Sequence, residues 1–182
     1  MTSLRSSLGR GRARPVRRVE SLAGRTLLAA ARQRKDLDPA RCRLVFEHLD
    51  AAASVRCALQ RALAAHRLGD LQFGVLVALL ALDPEPVTPA DLAGYTAVAR
   101  AAVSDALGRL AELKLVTRAR DPEDGRVYHL QLTAKGRSTV DAALETYLGA
   151  MGRVARYLRP EAQPDLLTAY ERLQRGAAEF DS

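Results

Sequence analysis

Apolar residues recur at spacings of three and four along most of the chain, the mark of amphipathic helices. Val16, Val19, Leu22, Ala23, Leu27 and Ala30 outline a first helix over about residues 16–34. Asp38 and Pro39 are an N-cap with proline at the first helical position. Val45, Leu49, Ala52, Val55, Leu59, Ala62 and Leu63 then hold one face of a long helix. Gly69 and Asp70 break and recap the chain before a shorter helix carrying Phe73, Leu76, Val77 and Leu80, which stops at Asp83-Pro84. The cluster Pro84, Pro86, Pro89 reads as a linker.

Thr88-Pro89-Ala90-Asp91 joins a capping threonine, a first-turn proline and an acid at the third helical position, which together specify a helix start. That helix is short, with Leu92 and Ala93 on its buried side. Residues 95–99 turn the chain into a second periodic segment, Val103, Leu107, Leu110 and Leu113, so the pair reads as a helix-turn-helix. The period then changes. Leu115–Arg118 and Val127–Leu132 have strand composition and flank Asp121-Pro122-Glu123-Asp124-Gly125, a turn-forming sequence, so a β-hairpin follows. Beyond Thr133-Ala134-Lys135-Gly136, Val140, Leu144, Tyr147, Leu148, Met151, Val154 and Leu158 trace another long helix. Pro160 and Pro164 separate it from a last one with Leu166, Leu167, Tyr170 and Leu173.

The predicted fold is mainly α with a small β-hairpin: a winged helix-turn-helix inserted between long helices that serve dimerisation. Four regions follow: a basic extension over residues 1–36, scaffold helices over 37–86, the winged unit over 87–135, and C-terminal helices over 136–182. A length of 182 residues with 48% hydrophobic and 27% charged residues suits a globular chain. No apolar run approaches the roughly 18 residues of a membrane span.

The net charge of +7 suggests nucleic acid, but its location matters more than its size. Residues 1–35 hold ten cations and one acid, Glu20, which leaves 18 basic and 20 acidic residues for everything after them. The basicity is therefore a property of the extension, and DNA binding by the core has to be argued from its own pattern. The first 15 residues have the composition of a disordered arm. The basic extension resembles an organellar transit peptide in being arginine-rich and acid-poor, a reading that a bacterial-type core argues against, while Gly24 and Arg25 interrupt the stretch that a secretory signal would need to be apolar.

The run from Ala102 through Val103-Ser104-Asp105-Ala106-Leu107 to Asp121-Pro122-Glu123-Asp124-Gly125-Arg126, continuing to Leu132-Thr133-Ala134-Lys135-Gly136, resembles the multiple antibiotic resistance regulator (MarR) family. The likeness covers residues 39–180 in layout and about 87–137 in motif detail. It implies a cytoplasmic, nucleoid-associated homodimer that places two winged helices on a pseudo-palindromic double-stranded DNA operator as a repressor. A small anionic or phenolic effector would release it. Two long helices with broad apolar faces support dimerisation independently, since a winged helix alone is too small to bury both.

On the recognition helix, Val103, Leu107 and Leu110 face inward and leave Arg100, Ala101, Ser104, Asp105, Gly108 and Arg109 outward, able to meet bases and phosphates. A solvated face of small residues is the plain alternative. By resemblance, Arg126 enters the minor groove and Asp124 orients it; otherwise they are a surface ion pair of about 0–1 kcal/mol. Arg118 and Arg120 on the first strand are generic phosphate partners. Ala97, Ala99 and Lys114 stand where the family commonly has a turn glycine, a helix cap and a terminal glycine, and Asp105 replaces a frequent arginine. These departures motivate a second reading, a degenerate winged helix serving protein interaction.

Other chemistry is weak. The acids at 121–124 resemble the start of a calcium loop, but Leu132 occupies the position of its bidentate acid. His48, His66 and His129 have no metal-ligand spacing, and neither a cofactor nor an enzymatic centre is indicated. Cys42 lies beside Arg41 and Arg43, which favour a thiolate and leave a redox-sensing regulator as an alternative. Burial of Cys42 and Cys57 as small hydrophobes is the stronger expectation.

If residues 1–15 lie along phosphates, each engaged cation steepens the fall of log K with log salt by about 0.9. Deleting them is expected to flatten that slope without loss of stability. Deleting 1–35 is expected also to lower the melting temperature or dimer affinity. Binding isotherms at three salt concentrations check this, and equal slopes for full length and the shorter deletion would remove the arm from DNA.

Overall fold

The computed structural model describes residues 18–96, 98–121 and 127–179. The chain divides into two compact units, residues 1–55 and 56–182, and the division falls inside one long helix. In the first unit, a 3-10 turn (Arg18–Glu20) precedes helix α1 (Leu22–Gln33). The Ser21 hydroxyl accepts from the Gly24 amide at 3.0 Å and donates to the Arg18 carbonyl at 2.6 Å. A Cβ on Gly24 would lie 1.9 Å from that carbonyl oxygen, so glycine permits the tight start. The serine cap explains why α1 begins later than the periodicity over 16–34 implied. Leu28 and Ala31 are buried, whereas Leu22 and Leu27 are exposed. The expected basic arm, residues 1–15, lies outside the described residues.

Helix α2 (Pro39–Ala64) starts at Asp38, whose carboxylate accepts from the Ala40 amide at 2.8 Å. Of its 26 residues only Leu63 is buried, so most of the predicted apolar face has no cover among the described residues.

The second unit is organised around helix α3 (Asp70–Leu82). Phe73, Val75, Leu76 and Leu79 are buried, and Val77 and Leu80 are partly so. The helix is apolar all round because helices α4 (Pro89–Thr96), α5 (Arg100–Glu112) and α6 (Ala134–Ala155) pack about it. A one-face spacing therefore found Leu76 but not Val75 or Leu79. Leu92 from α4, Val103, Leu107 and Leu110 from α5, and Val140 from α6 join this core, with Leu130 from β2.

Strands β1 (Val116–Arg120) and β2 (Tyr128–Leu132) pair antiparallel, with Val116 opposite Leu132 and Arg120 opposite Tyr128. Val87, predicted to be linker, adds an antiparallel bridge through the Leu130 amide, which donates to its carbonyl at 2.8 Å. Helix α7 (Gln163–Ala178) ends the described chain and buries none of its residues.

Leu115 was expected to open the first strand, but it closes α5 instead. The Lys114 amide donates to Ala111 and the Leu115 amide to Leu110, both at 2.9 Å, with Lys114 at φ 59°. This is a Schellman end whose left-handed position is normally glycine. Arg67 does the same at the end of α2, also at φ 59°.

The carbonyl of Leu115 then accepts the Thr133 amide at 3.0 Å, and the Thr133 hydroxyl caps α6 by accepting from the Gly136 amide at 2.9 Å. A Cβ at position 136 would lie 1.9 Å from the Leu115 oxygen. The Leu-Thr-x-x-Gly exit is thus a close backbone crossing between the end of α5 and the start of α6. Gly136→Ala is expected to destabilise by roughly 1–3 kcal/mol or more, since neither backbone can yield freely. Lys114→Gly is expected to stabilise by about 0.5–1 kcal/mol by relieving the left-handed lysine. Urea unfolding of both variants checks the opposite signs.

Candidate nucleic-acid interface

The core contacts of α5 decide what its other side can do. With Val103, Ala106, Leu107 and Leu110 buried, Arg100, Ala101, Ser104, Asp105, Gly108 and Arg109 are all exposed, as the periodicity predicted. Ala99, at the N-cap, offers no side-chain hydrogen bond, so the helix begins uncapped.

Arg100 and Ser104 are brought together with Arg118 of β1. Along with Thr88 and Tyr128 they line a groove of about 530 Å³ between the start of α4, α5 and the hairpin. Ala101, Asp105 and Arg109 are exposed on α5 but are not among its lining residues. Asp124 and Arg126, the expected wing pair, lie outside the described residues.

Thr88, which lines this groove, is held by the capping box read from the sequence. The Thr88 amide and hydroxyl donate to Asp91 at 2.9 and 2.7 Å, and the Asp91 amide donates back to the Thr88 hydroxyl at 3.2 Å. These bonds, first that from the Thr88 amide and then that from its hydroxyl, with a smaller contribution from His129, hold the Asp91 carboxyl below its usual range.

Two partnerships in the hairpin were not legible beforehand. His129 Nε2 meets Asp121 Oδ2 at 2.6 Å, while the Asp121 amide donates to Val127 at 3.0 Å, so side chains and backbone both close the root of the wing. Arg120 Nε donates to the Tyr128 hydroxyl at 3.2 Å. The signal for the second is register: position 120 faces position 128 only once the pairing is known.

A further cavity of about 410 Å³ lies between the end of α2, the end of α5 and the start of α6. It is lined by His66, Arg67, Lys135, Ser138 and Thr139 together with apolar Leu113 and Leu115. His66 Nε2 lies 2.9 Å from the Thr146 hydroxyl, and Lys135 Nζ donates to the Leu113 carbonyl at 2.7 Å. Among the described residues no group of histidines, cysteines and acids is placed to hold a metal. No described helix is long and apolar enough to cross a membrane. Cys57 is exposed and Cys42 half-buried, contrary to the expectation that both are buried hydrophobes, because the α2 surface that carries them is largely uncovered among the described residues.

Residues 68–127, which run from α3 through the recognition helix into the hairpin, match the sequence profile of the MarR family. The winged helix is thus similar in sequence to that of the MarR family. Among solved structures, CouR, described as a transcriptional repressor bound to a 23-mer DNA duplex, is 25% identical, with a TM-score of 0.62 over 72% of this chain and 92% of that one. MepR of S. aureus in its DNA complex is 20% identical, also with a TM-score of 0.62, over 73% and 96%. Wild-type apo MarR of E. coli is 20% identical, with a TM-score of 0.56 over 72% and 94%. A comparison with curated proteins finds no match. The mostly helical chain with one two-stranded hairpin between α5 and α6 has the winged-helix fold of these structures.

The depressed Asp91 fixes the sign of one pH effect. A carboxylate stabilised in the folded state contributes stability above its unfolded pKa, near 3.9, and loses it as pH falls through the lower folded value. Asp91→Asn is expected to lower the melting temperature at pH 7, and the gap to the parent is expected to close below about pH 3–4. Thermal melts at both pH values check this.

Proposed function

We propose that the chain is a DNA-binding transcription regulator of the MarR type that acts as a homodimeric repressor on a pseudo-palindromic operator. The observation that carries this reading is the outward face of α5, where two arginines and a serine stand exposed beside a groove that also holds Arg118. Arg100 and Arg109 are suited to guanine edges or phosphates, Ser104 to either, and Asp105 to cytosine N4. Ala101 offers a methyl contact to thymine, Arg118 takes backbone phosphate, and Arg126, oriented by Asp124, enters the adjacent minor groove. The DNA duplexes in the CouR and MepR structures support the same use of this fold.

The homodimer is supported by what the chain leaves uncovered. Leu44 on α2 is 68% exposed and Leu148 on α6 is 58% exposed, while Tyr157 and Leu167 are likewise open. A monomer would leave this apolar surface in water at a cost of about 25 cal/mol per Å². A second copy of the same terminal helices is the self-complementary cover. The cationic cavity at Arg67 and Lys135 is the proposed place for a small anionic or phenolic effector.

Selection of duplexes from a random pool, followed by footprinting, is expected to give a two-fold site with half-sites about 10 base pairs apart. Arg126→Ala is expected to weaken that binding by roughly 1–3 kcal/mol without altering the dimer. Leu144 packs on the core of its own chain whereas Leu148 does not, so Leu148→Asp is the cleaner interface probe. It is expected to yield a folded monomer by sedimentation. A monomer that still binds the full site tightly would overturn the dimer, and sequence-independent micromolar binding by the parent would favour a protein-interaction module. In the same assay, unchanged affinity in the presence of benzoate and phenol would count against the effector.

A further inference from the structure

Tyr128 sits on β2 at the rim of the groove beside Arg118, Arg100 and Ser104, and its side is open to solvent. Its hydroxyl accepts from Arg120 Nε at 3.2 Å, and the Arg120 guanidinium lies 5.6 Å from its ring centre. A phenol that already accepts from a guanidinium has its own proton left to donate, and that proton cannot point back at the cation. Among the described residues that line the groove there are two guanidinium groups and no carboxylate. The acceptor that fits this arrangement is an anionic oxygen.

We infer that Tyr128 donates to a backbone phosphate of the bound duplex, which Arg118 neutralises from the neighbouring strand, and that Arg120 positions the phenol. This rests on the DNA reading above and divides the interface. A phosphate contact is blind to base identity and sets where the duplex lies. The exposed face of α5 is left to read sequence. The Tyr128 hydroxyl is neutral, so it adds a charge-assisted hydrogen bond without releasing a counterion, whereas Arg118 does both.

The test uses the full chain with two probes, a duplex chosen by the protein from a random pool and a shuffled duplex of the same composition. Tyr128→Phe, which removes one oxygen, is expected to weaken both by the same factor, roughly tenfold, with the salt slope and melting temperature unchanged. Arg118→Ala is expected to weaken both and to reduce the slope by about 0.9. Arg120→Ala combined with Tyr128→Phe is expected to lose less than the product of the single losses, the sign that arginine acts through the phenol. Parental binding of both duplexes by Tyr128→Phe would overturn the inference, and so would a loss confined to the selected duplex, which would make the tyrosine a base reader. If the parent binds neither duplex, the DNA reading falls and this assignment with it.

Discussion

The second unit depends on one backbone crossing. Where α5 ends, the Leu115 carbonyl accepts the Thr133 amide, and Gly136 comes so close that no side chain fits between. Three things meet there: the end of the recognition helix, the return strand of the hairpin and the first turn of α6. Because Thr133 both caps α6 and donates to the Lys114 carbonyl at 2.8 Å, a displacement of α6 must move the end of α5. Thr133 thus ties the start of α6 to the end of α5, the helix proposed to read DNA.

The crossing also explains why the chain tolerates Lys114 in a left-handed conformation. The strain there is of order 1 kcal/mol, and it lies beside two amide hydrogen bonds and the burial of Leu110 and Leu115 that the turn makes possible. Ala99 is a parallel case at the other end of α5, where the missing cap leaves the helix start dependent on packing of Val103 and Leu107. Both departures from family pattern are local costs borne by the core. Neither removes the exposed face.

Much of this was legible in the sequence, and for identifiable reasons. Thr88 and Asp91 carry chemistry that acts within one turn, so their cap follows from spacing alone, whereas the cap by Thr133 and the crossing at Gly136 emerged only with the position of Leu115. The outward set on α5 follows from the helical period once Val103, Leu107 and Leu110 are taken as core. Val75, Leu79 and the Val87 bridge were missed because each depends on neighbours from distant parts of the chain. The periodicity of α2 and α6 was visible, but not that Leu144 belongs to the core of its own chain while Leu148 stands open.

The amino-acid order by itself determined the helices, the hairpin and the face that α5 turns outward, because these rest on local hydrogen bonding and on a periodicity of a few residues. Only the tertiary structure decided which polar side chains meet. Register set Arg120 against Tyr128, the closure of the hairpin root set His129 against Asp121, and the bridge from Val87 to Leu130 brought Thr88 to the groove of Arg100 and Arg118. Pairings of that kind depend on the position of one element over another to within about an ångström, and no local pattern encodes it.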